Sequence, residues 1–316
     1  MKDYAYSVAR VRARVLQLLS DADIDRMIMA DDAASALAAI RDKGYASNEE
    51  KDVISATEKE LWEFISEIAD DELVEILRYP TDYHNVKVAI KSVYRNIDGT
   101  DMLLDNGNVE KDFLYDCIRN RHFSDLPGEL SHIAEDALSL ILRTGDGQLC
   151  DMSIDKAMLE QSLKKAEETS DGNIIRYARL QMDIANIKTA LRCIMMKKSD
   201  TFTKNALATG GTFDTDRLAE VTLRGIEELC GYINGTELSD GAEYIKKSSV
   251  AFEKWCDDKI MHMLEDAKFE SFSSAPVIAY MYAKMTEIKI VRLILSGKRN
   301  NFSEDSIRER VRKVYV

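Results

Sequence analysis

A ten-residue pattern occurs twice in this chain, and it restricts the possible folds more than any other feature. Asp82 to Lys91 and Asp183 to Arg192 share the order Asp-x-x-Asn-aliphatic-Lys-x-Ala-aliphatic-basic, and the two copies start 101 residues apart. A further step of 101 residues leads to Lys284, where the aliphatic and lysine positions recur but Lys284 and Glu287 replace the aspartate and the asparagine. Equal spacing of this kind predicts repeated structural units.

The polar residues of this pattern share one face of a helix. Asp82, Asn85 and Ala89 are three and four residues apart, so they lie next to one another beside an aliphatic stripe. Buried carboxylates and amides persist only when they are partnered. We therefore interpret the pattern as an inter-helix lock rather than a metal or catalytic site, which is rarely built in duplicate. The predicted motif residues are Asp82, Asn85, Lys87, Asp183, Asn186, Lys188, Glu287, Lys289 and Arg292.

Turn-forming residues divide the chain at about the same period. Asp105-Asn106-Gly107-Asn108 and Thr209-Gly210-Gly211-Thr212 are typical breaks. They predict three helical units, residues 1–105, 106–208 and 209–316, in one continuous body. Only 3 prolines and 14 glycines occur in 316 residues, too few for the many tight turns of a sheet protein. The predicted fold class is therefore all-α.

Several helix ends are predicted from local signals. Thr57 and Glu60 have the spacing of a capping box, and Pro80 suits the first turn of the helix with the Asp82 motif. Residues 174–196 have the length and pattern of one long helix. Pro276 predicts the start of another helix and Gly297 its end, and a last helix is expected from about Ser303.

Enzyme-like signals are weak in this sequence. It contains no Gly-x-x-x-x-Gly-Lys-Ser/Thr phosphate loop. Its five cysteines include no Cys-x-x-Cys pair, which argues against a zinc site or a disulfide frame. Asp71-Glu72-Leu-Val-Glu75 is a near match to an aspartate-rich magnesium motif of all-α enzymes, so a metal-dependent enzyme remains an alternative. We predict no catalytic residue, no cofactor and no metal.

Charge and hydropathy narrow the class of partner. With 43 basic and 56 acidic side chains the net charge is −13, which argues against nucleic acid. The longest uncharged run, residues 271–283, is shorter than the ~20 residues that span a bilayer. Residues 284–316 are basic, which predicts either a solvated helix or a docking surface for an acidic partner. The candidate docking residues are Lys298, Arg299, Arg308, Arg310, Arg312 and Lys313.

Three parts of the chain together resemble a known family. They are the stretch from Tyr4 to Arg12, the motifs at Asp82 and Asp183, and the C-terminal stretch from Ala279 to Tyr315. In order and spacing they are similar to the C subunit of archaeal and bacterial V/A-type ATP synthases, whose eukaryotic relative is the d subunit of the vacuolar proton pump. The third repeat departs from the pattern because it lacks the aspartate and the asparagine.

The resemblance implies a funnel-shaped, all-helical body of three units about a pseudo-threefold axis. It also implies a non-catalytic subunit of the central rotor that links the central stalk, made of the D and F subunits, to the membrane ring of proteolipid subunits. Torque would then pass between ion transport and ATP synthesis or hydrolysis. The expected location is the cytoplasmic side of the cell membrane, as a peripheral protein without bilayer insertion. A helical-repeat adaptor of another complex is the alternative.

Overall fold

A computed structural model describes residues 4–45 and 50–316. Every regular element in these ranges is a helix and none is a strand, so the predicted all-α class is confirmed. Short 3₁₀ turns occur at residues 41–43, 100–102, 123–125 and 266–269. The α-helices are α1 Ala5–Val15, α2 Asp21–Met29, α3 Ala33–Ala38, α4 Glu50–Ile68, α5 Asp71–Arg95, α6 Lys111–Asn120, α7 Leu130–Thr144, α8 Gly147–Thr169, α9 Gly172–Met195, α10 Asp200–Ala206, α11 Thr215–Arg224, α12 Ile226–Ile233, α13 Gly241–Lys247, α14 Ser249–Glu265, α15 Ala275–Arg299 and α16 Glu304–Arg308.

Packing divides the chain into two compact units. Unit 1 combines residues up to Asp70 with residues Asp240–Val316, and unit 2 is Asp71–Ser239. The predicted division into 1–105, 106–208 and 209–316 concerns internal similarity rather than packing, and it stays a prediction.

Unit 1 is organised around α15. This helix packs against α1, α3, α4 and α14, and is buried on most sides. Its C-terminal half contributes Val291, Ile294 and Leu295 to an apolar core that also contains Met27 and Ile28 of α2. The uncharged first part of α15, residues 275–283, is almost entirely buried, as expected of a helix in a protein interior, so α15 forms the centre of this unit.

Unit 2 is a layered array of long helices. α5 packs against α6, α7 and α8, while α8 packs in turn against α7, α9 and α10. α9 also contacts α11. The first two repeat motifs therefore lie in this unit, on α5 and α9, and the third lies on α15 of unit 1.

Side-chain caps explain why several helices begin where they do. Ser20 and Asp23 form a capping box at the start of α2. Asp146 accepts hydrogen bonds from two backbone amides at the start of α8, at 2.9 and 3.0 Å, and Asp171 caps α9 in the same way. The predicted long helix over residues 174–196 and the start at Pro276 are confirmed, as is a last short helix capped by Ser303.

Three predicted helix ends are wrong. Thr57 lies inside α4, where its hydroxyl donates to the Val53 carbonyl, so it caps nothing. Pro80 lies inside α5 rather than in its first turn, because α5 already starts at Asp71. Gly297 lies inside α15, and a Cβ there would come within 2.8 Å of the Ile307 side chain. Its small size serves the packing of α16 rather than the end of a helix.

Candidate functional site

The first motif forms a lock between α5 and the segment that follows it. The Asp82 carboxylate is buried and accepts hydrogen bonds from the Val109 backbone N–H at 3.0 Å and the Asn108 side-chain amide at 2.8 Å. One turn along the helix, the Asn85 amide donates to the Leu104 carbonyl at 2.9 Å and accepts from the Leu104 N–H at 2.8 Å. Together the two side chains fix the backbone between α5 and α6.

The second motif repeats this arrangement on α9. Asp183 accepts from the Thr212 backbone N–H at 2.9 Å and from the Thr212 hydroxyl at 2.5 Å. Asn186 donates to the Ala208 carbonyl and accepts from the Ala208 N–H, both at 2.8 Å. In both copies the asparagine therefore satisfies both backbone groups of one residue, and the aspartate accepts a backbone N–H further along the chain.

Two glycines complete these locks, although the sequence pattern indicates them only as turn formers. A Cβ on Gly107 would lie 2.4 Å from an Asp82 carboxylate oxygen, and one on Gly211 would lie 2.3 Å from an Asp183 oxygen. Any other residue would push the carboxylate away from its donors. The signal that could have identified them is their position in the turn that follows each motif.

Burial sets the electrostatics of both aspartates. Loss of water around the Asp82 carboxylate raises its pKa, and hydrogen bonds from Val109 and Asn108 offset this only in part. Burial raises the pKa of Asp183 in the same way, against the hydrogen bonds from Thr212. Each aspartate is therefore a structural group that accepts its hydrogen bonds from the segment following its helix.

The third motif forms a different lock within unit 1. Glu287, at the position of the asparagine, is buried and accepts from the Leu19 backbone N–H at 2.6 Å and the Tyr45 hydroxyl at 2.8 Å. Lys284, at the position of the aspartate, pairs with Glu287 and lies 4.8 Å above the Tyr45 ring. A buried carboxylate and its lysine thus replace the Asp–Asn pair, and burial raises the pKa of Tyr45 well above its usual range.

The remaining predicted motif residues lie outside these buried contacts. Lys87 pairs with Asp155 of α8 at 2.6 Å, and Lys188 is half-buried on α9. Lys289 is exposed on α15, and Arg292 pairs with Glu58 of α4 at 2.9 Å. These basic positions therefore tie helices together at the surface or face solvent, whereas the acidic and amide positions are buried.

Much of the basic C-terminal segment pairs within unit 1. Arg308 pairs with Asp25, and Arg312 pairs with Asp257 at 2.9 Å. Lys313 pairs with Glu265. The Arg310 guanidinium lies 5.7 Å from the Phe302 ring centre, while Arg299 is exposed and Lys298 half-buried near the end of α15. These pairs hold the segment onto α2 and α14, and its docking role stays a prediction.

Glu75, from the acidic stretch that suggested a metal site, makes structural contacts in this fold. Glu75 accepts a hydrogen bond from Tyr79 at 2.6 Å and pairs with Lys165 at 3.0 Å. Across residues 4–45 and 50–316, no group of three or more His, Cys, Asp or Glu side chains is arranged to hold a metal ion. In the same ranges no helix combines the length and apolarity needed to cross a membrane.

Comparison with known proteins decides the family. The profile of the ATP synthase (C/AC39) subunit family matches residues 7–310. The chain belongs to this family. Members of the ATP synthase (C/AC39) subunit family are structural subunits of rotary ATPases and are not themselves catalytic.

Individual relatives are similar in sequence to this chain over most of its length. The C subunit of the V-type sodium ATPase of Enterococcus hirae is 24% identical over 96% of this chain and 97% of its own length. The C subunit of the A-type ATP synthase of Methanocaldococcus jannaschii is 25% identical over 96% of this chain and 85% of its own. The C subunit of the A-type ATP synthase of Methanobrevibacter smithii is 28% identical over 75% of this chain and 68% of its own length. The chain is thus similar to these C subunits, and as a member of the family it is a subunit of an A/V-type ATP synthase, a membrane-associated complex.

Proposed function

We propose that this chain couples the central stalk to the membrane rotor ring of an A/V-type ATP synthase, on the cytoplasmic side of the membrane. The proteolipid ring and the D and F subunits of the stalk are its proposed partners. One observation carries the proposal: the family match extends over residues 7–310, so nearly the whole chain corresponds to a member of the C/AC39 family. The three-unit organisation is part of the same proposal.

The locks suit a part that transmits torque. A coupling subunit must keep its shape under load, and buried polar groups with all partners in place rigidify the elements that they join. Asp82 and Asp183 each fix a connecting segment to a long helix, and Glu287 does so in unit 1. The segments between helices are therefore held at defined points rather than left free to bend.

Co-purification tests the proposal directly. The tagged chain is expressed in its own cells, extracted from membranes in mild detergent and purified by affinity. We expect ring subunits and the D and F subunits of the stalk in the product, identified by mass spectrometry. Recovery of an unrelated set of proteins would support the adaptor alternative and contradict the proposal.

Charge variants distinguish a role of the C-terminal segment in docking to a partner from a role in stabilising unit 1. Lys298 and Arg310 have no carboxylate partner among residues 4–45 and 50–316, whereas Arg308 and Arg312 do. If the segment docks directly, Lys298→Gln with Arg310→Gln should lower ATP-driven ion pumping in reconstituted vesicles without lowering the melting temperature. Its matched control, Arg308→Gln with Arg312→Gln, removes the same charge but should lower the melting temperature. Full pumping by the first pair would exclude direct docking through these two side chains.

A further inference from the structure

One exposed stripe of α1 is apolar and contains two small side chains. Tyr6, Ala9, Ala13 and Leu16 recur at helical spacing and are all exposed. Leu16 has 79% and Tyr6 68% of its surface open to solvent. The two alanines between the two large side chains are small enough to let a second helix approach α1 closely.

Two exposed phenylalanines lie in the segment that Arg12 of α1 binds. Phe269 and Phe272 lie in the segment before α15 and are 84% and 69% exposed. The Arg12 guanidinium of α1 binds this segment through the Glu270 carbonyl and the Ser271 hydroxyl, both at 3.1 Å. On the other side of Phe269, the Lys268 ammonium donates to the Tyr315 carbonyl at 2.7 Å. These contacts fix the chain on both sides of Phe269 and just before Phe272, and both rings are exposed.

Arg12 differs from the neighbouring arginines in the partners of its guanidinium. Arg10 hydrogen-bonds Glu67 at 2.8 Å, and Arg14 pairs with Glu60. Arg12 reaches only carbonyl and hydroxyl oxygens, and no carboxylate in the described part of the chain pairs with it. An exposed apolar patch with aromatic anchors and one arginine has the composition of a protein interface core.

We propose that this patch, formed by Tyr6, Ala9, Arg12, Ala13, Leu16, Phe269 and Phe272, binds an amphipathic α-helix of another subunit of the complex. The apolar side of that helix packs over Ala9 and Ala13 between the aromatic rings, and a carboxylate on it pairs with Arg12. This inference rests on the proposed function, since it assigns one surface of unit 1 to the assembly of the complex.

A protein helix fits these observations better than a lipid surface does. Anionic headgroups attract exposed, unpaired Lys and Arg side chains. Here Arg10 and Arg14 are neutralised by Glu67 and Glu60, which places two carboxylates next to the patch. Among the described residues, Arg12 and Lys268 then remain without a carboxylate, fewer than the roughly four to eight clustered basic side chains that are typical of a site for anionic lipid.

A single introduced thiol tests the patch. All five native cysteines are buried, so Ala13→Cys adds a uniquely accessible thiol at the centre of the patch. Ala34→Cys, on an exposed alanine of α3, is the matched control. Each variant is alkylated as the free subunit and in the complex purified from its own membranes. We expect labelling at Ala13→Cys to slow by about tenfold or more in the complex, and labelling at Ala34→Cys to change by less than about twofold.

Variants and cross-links then test the chemistry of the occupant. Phe269→Ser with Phe272→Ser should abolish most of the protection of Ala13→Cys, and so should Arg12→Gln, whereas Arg12→Lys keeps the charge and should retain it. Circular dichroism of each variant checks the fold. A photoactivatable cross-linker on Ala13→Cys should attach to an amphipathic, carboxylate-bearing helix of one subunit.

The outcomes separate this inference from the proposed function. If ring and stalk subunits co-purify but Ala13→Cys is labelled equally fast in both preparations, the inference is wrong and the proposed function stands. Attachment of the cross-linker only to phospholipid would also overturn it, as would binding of the free subunit to anionic vesicles that depends on Phe269. If no ATP synthase subunit co-purifies, both proposals fall together.

Discussion

Replacing Asn186 by leucine removes the two hydrogen bonds that fix Ala208. Both bonds are 2.8 Å long and buried, and leucine can neither donate nor accept. The Ala208 N–H and C=O are then left without partners, at about 1–3 kcal/mol each. Leucine has the same branched shape, although its methyl groups are larger, and it adds apolar contact that offsets up to about 1–2 kcal/mol. We therefore expect a loss of about 2–4 kcal/mol in the free energy of unfolding.

The same substitution in the first repeat should have a smaller effect. Leu104, the partner of Asn85, is 47% exposed, and its hydrogen bonds with Asn85 are only partly buried, so water can reach these backbone groups more easily. For Asn85→Leu we expect about 1–2 kcal/mol. The control is Asn205→Leu on the exposed face of α10, which should change stability by less than about 0.5 kcal/mol.

Two measurements on the intact chain check this ranking. Urea unfolding followed by circular dichroism gives the free energies, and hydrogen exchange reports the Ala208 amide directly. In Asn186→Leu that amide should exchange much faster than in the parent chain. If Asn186→Leu unfolds like Asn205→Leu and the Ala208 amide stays protected, the lock does not act as described.

Three further predictions follow from the same contacts. Gly211→Ala should lower the free energy of unfolding in urea by about 2–4 kcal/mol because its Cβ displaces the Asp183 carboxylate. Gly147→Ala is the control and should not destabilise the chain, since a Cβ at Gly147 has no neighbouring atom within 4 Å. Glu287→Gln should lower the free energy of unfolding by about 3–5 kcal/mol because it leaves Lys284 without its counterion. Adding Lys284→Met should restore part of that stability, and no restoration would argue against the pair. Burial raises the pKa of Asp183, so the stability gained from its protonated form is present at low pH and falls as pH rises through the folded pKa. The parent chain should therefore lose stability relative to Asp183→Asn as pH rises above the ordinary aspartate pKa of about 4; a gain would contradict the assigned direction.

The sequence allowed the helical class and the motif positions to be predicted, since both depend on local composition and spacing. The partners of the locks could not be predicted in the same way. Asn85 and Asn186 bind backbone atoms of Leu104 and Ala208, and backbone groups leave no residue-specific signal. Glu287 binds Leu19, which is 268 residues away in the chain.

The wrong helix ends have a similar physical origin. Pro80 fits a first turn by local preference, but α5 extends to Asp71, so tertiary packing overrides the preference. Gly297 resembles a helix terminator, yet its role is set by Ile307 packing against it from α16. The patch around Arg12 could not be predicted because the segment that contains Phe269 and Phe272 reaches α1 only through the fold of unit 1.

The contact between Glu287 and Leu19 has a consequence for biosynthesis. Leu19 and the apolar residues of α2 pack on α15, which leaves the ribosome some 268 residues later. At about 5–20 residues per second this delay is on the order of 10–50 s. Unit 2, which is continuous in sequence, is complete before then. During that interval Met27 and Ile28 lack their final partners, so the nascent N-terminal helices present the apolar surface that chaperones bind.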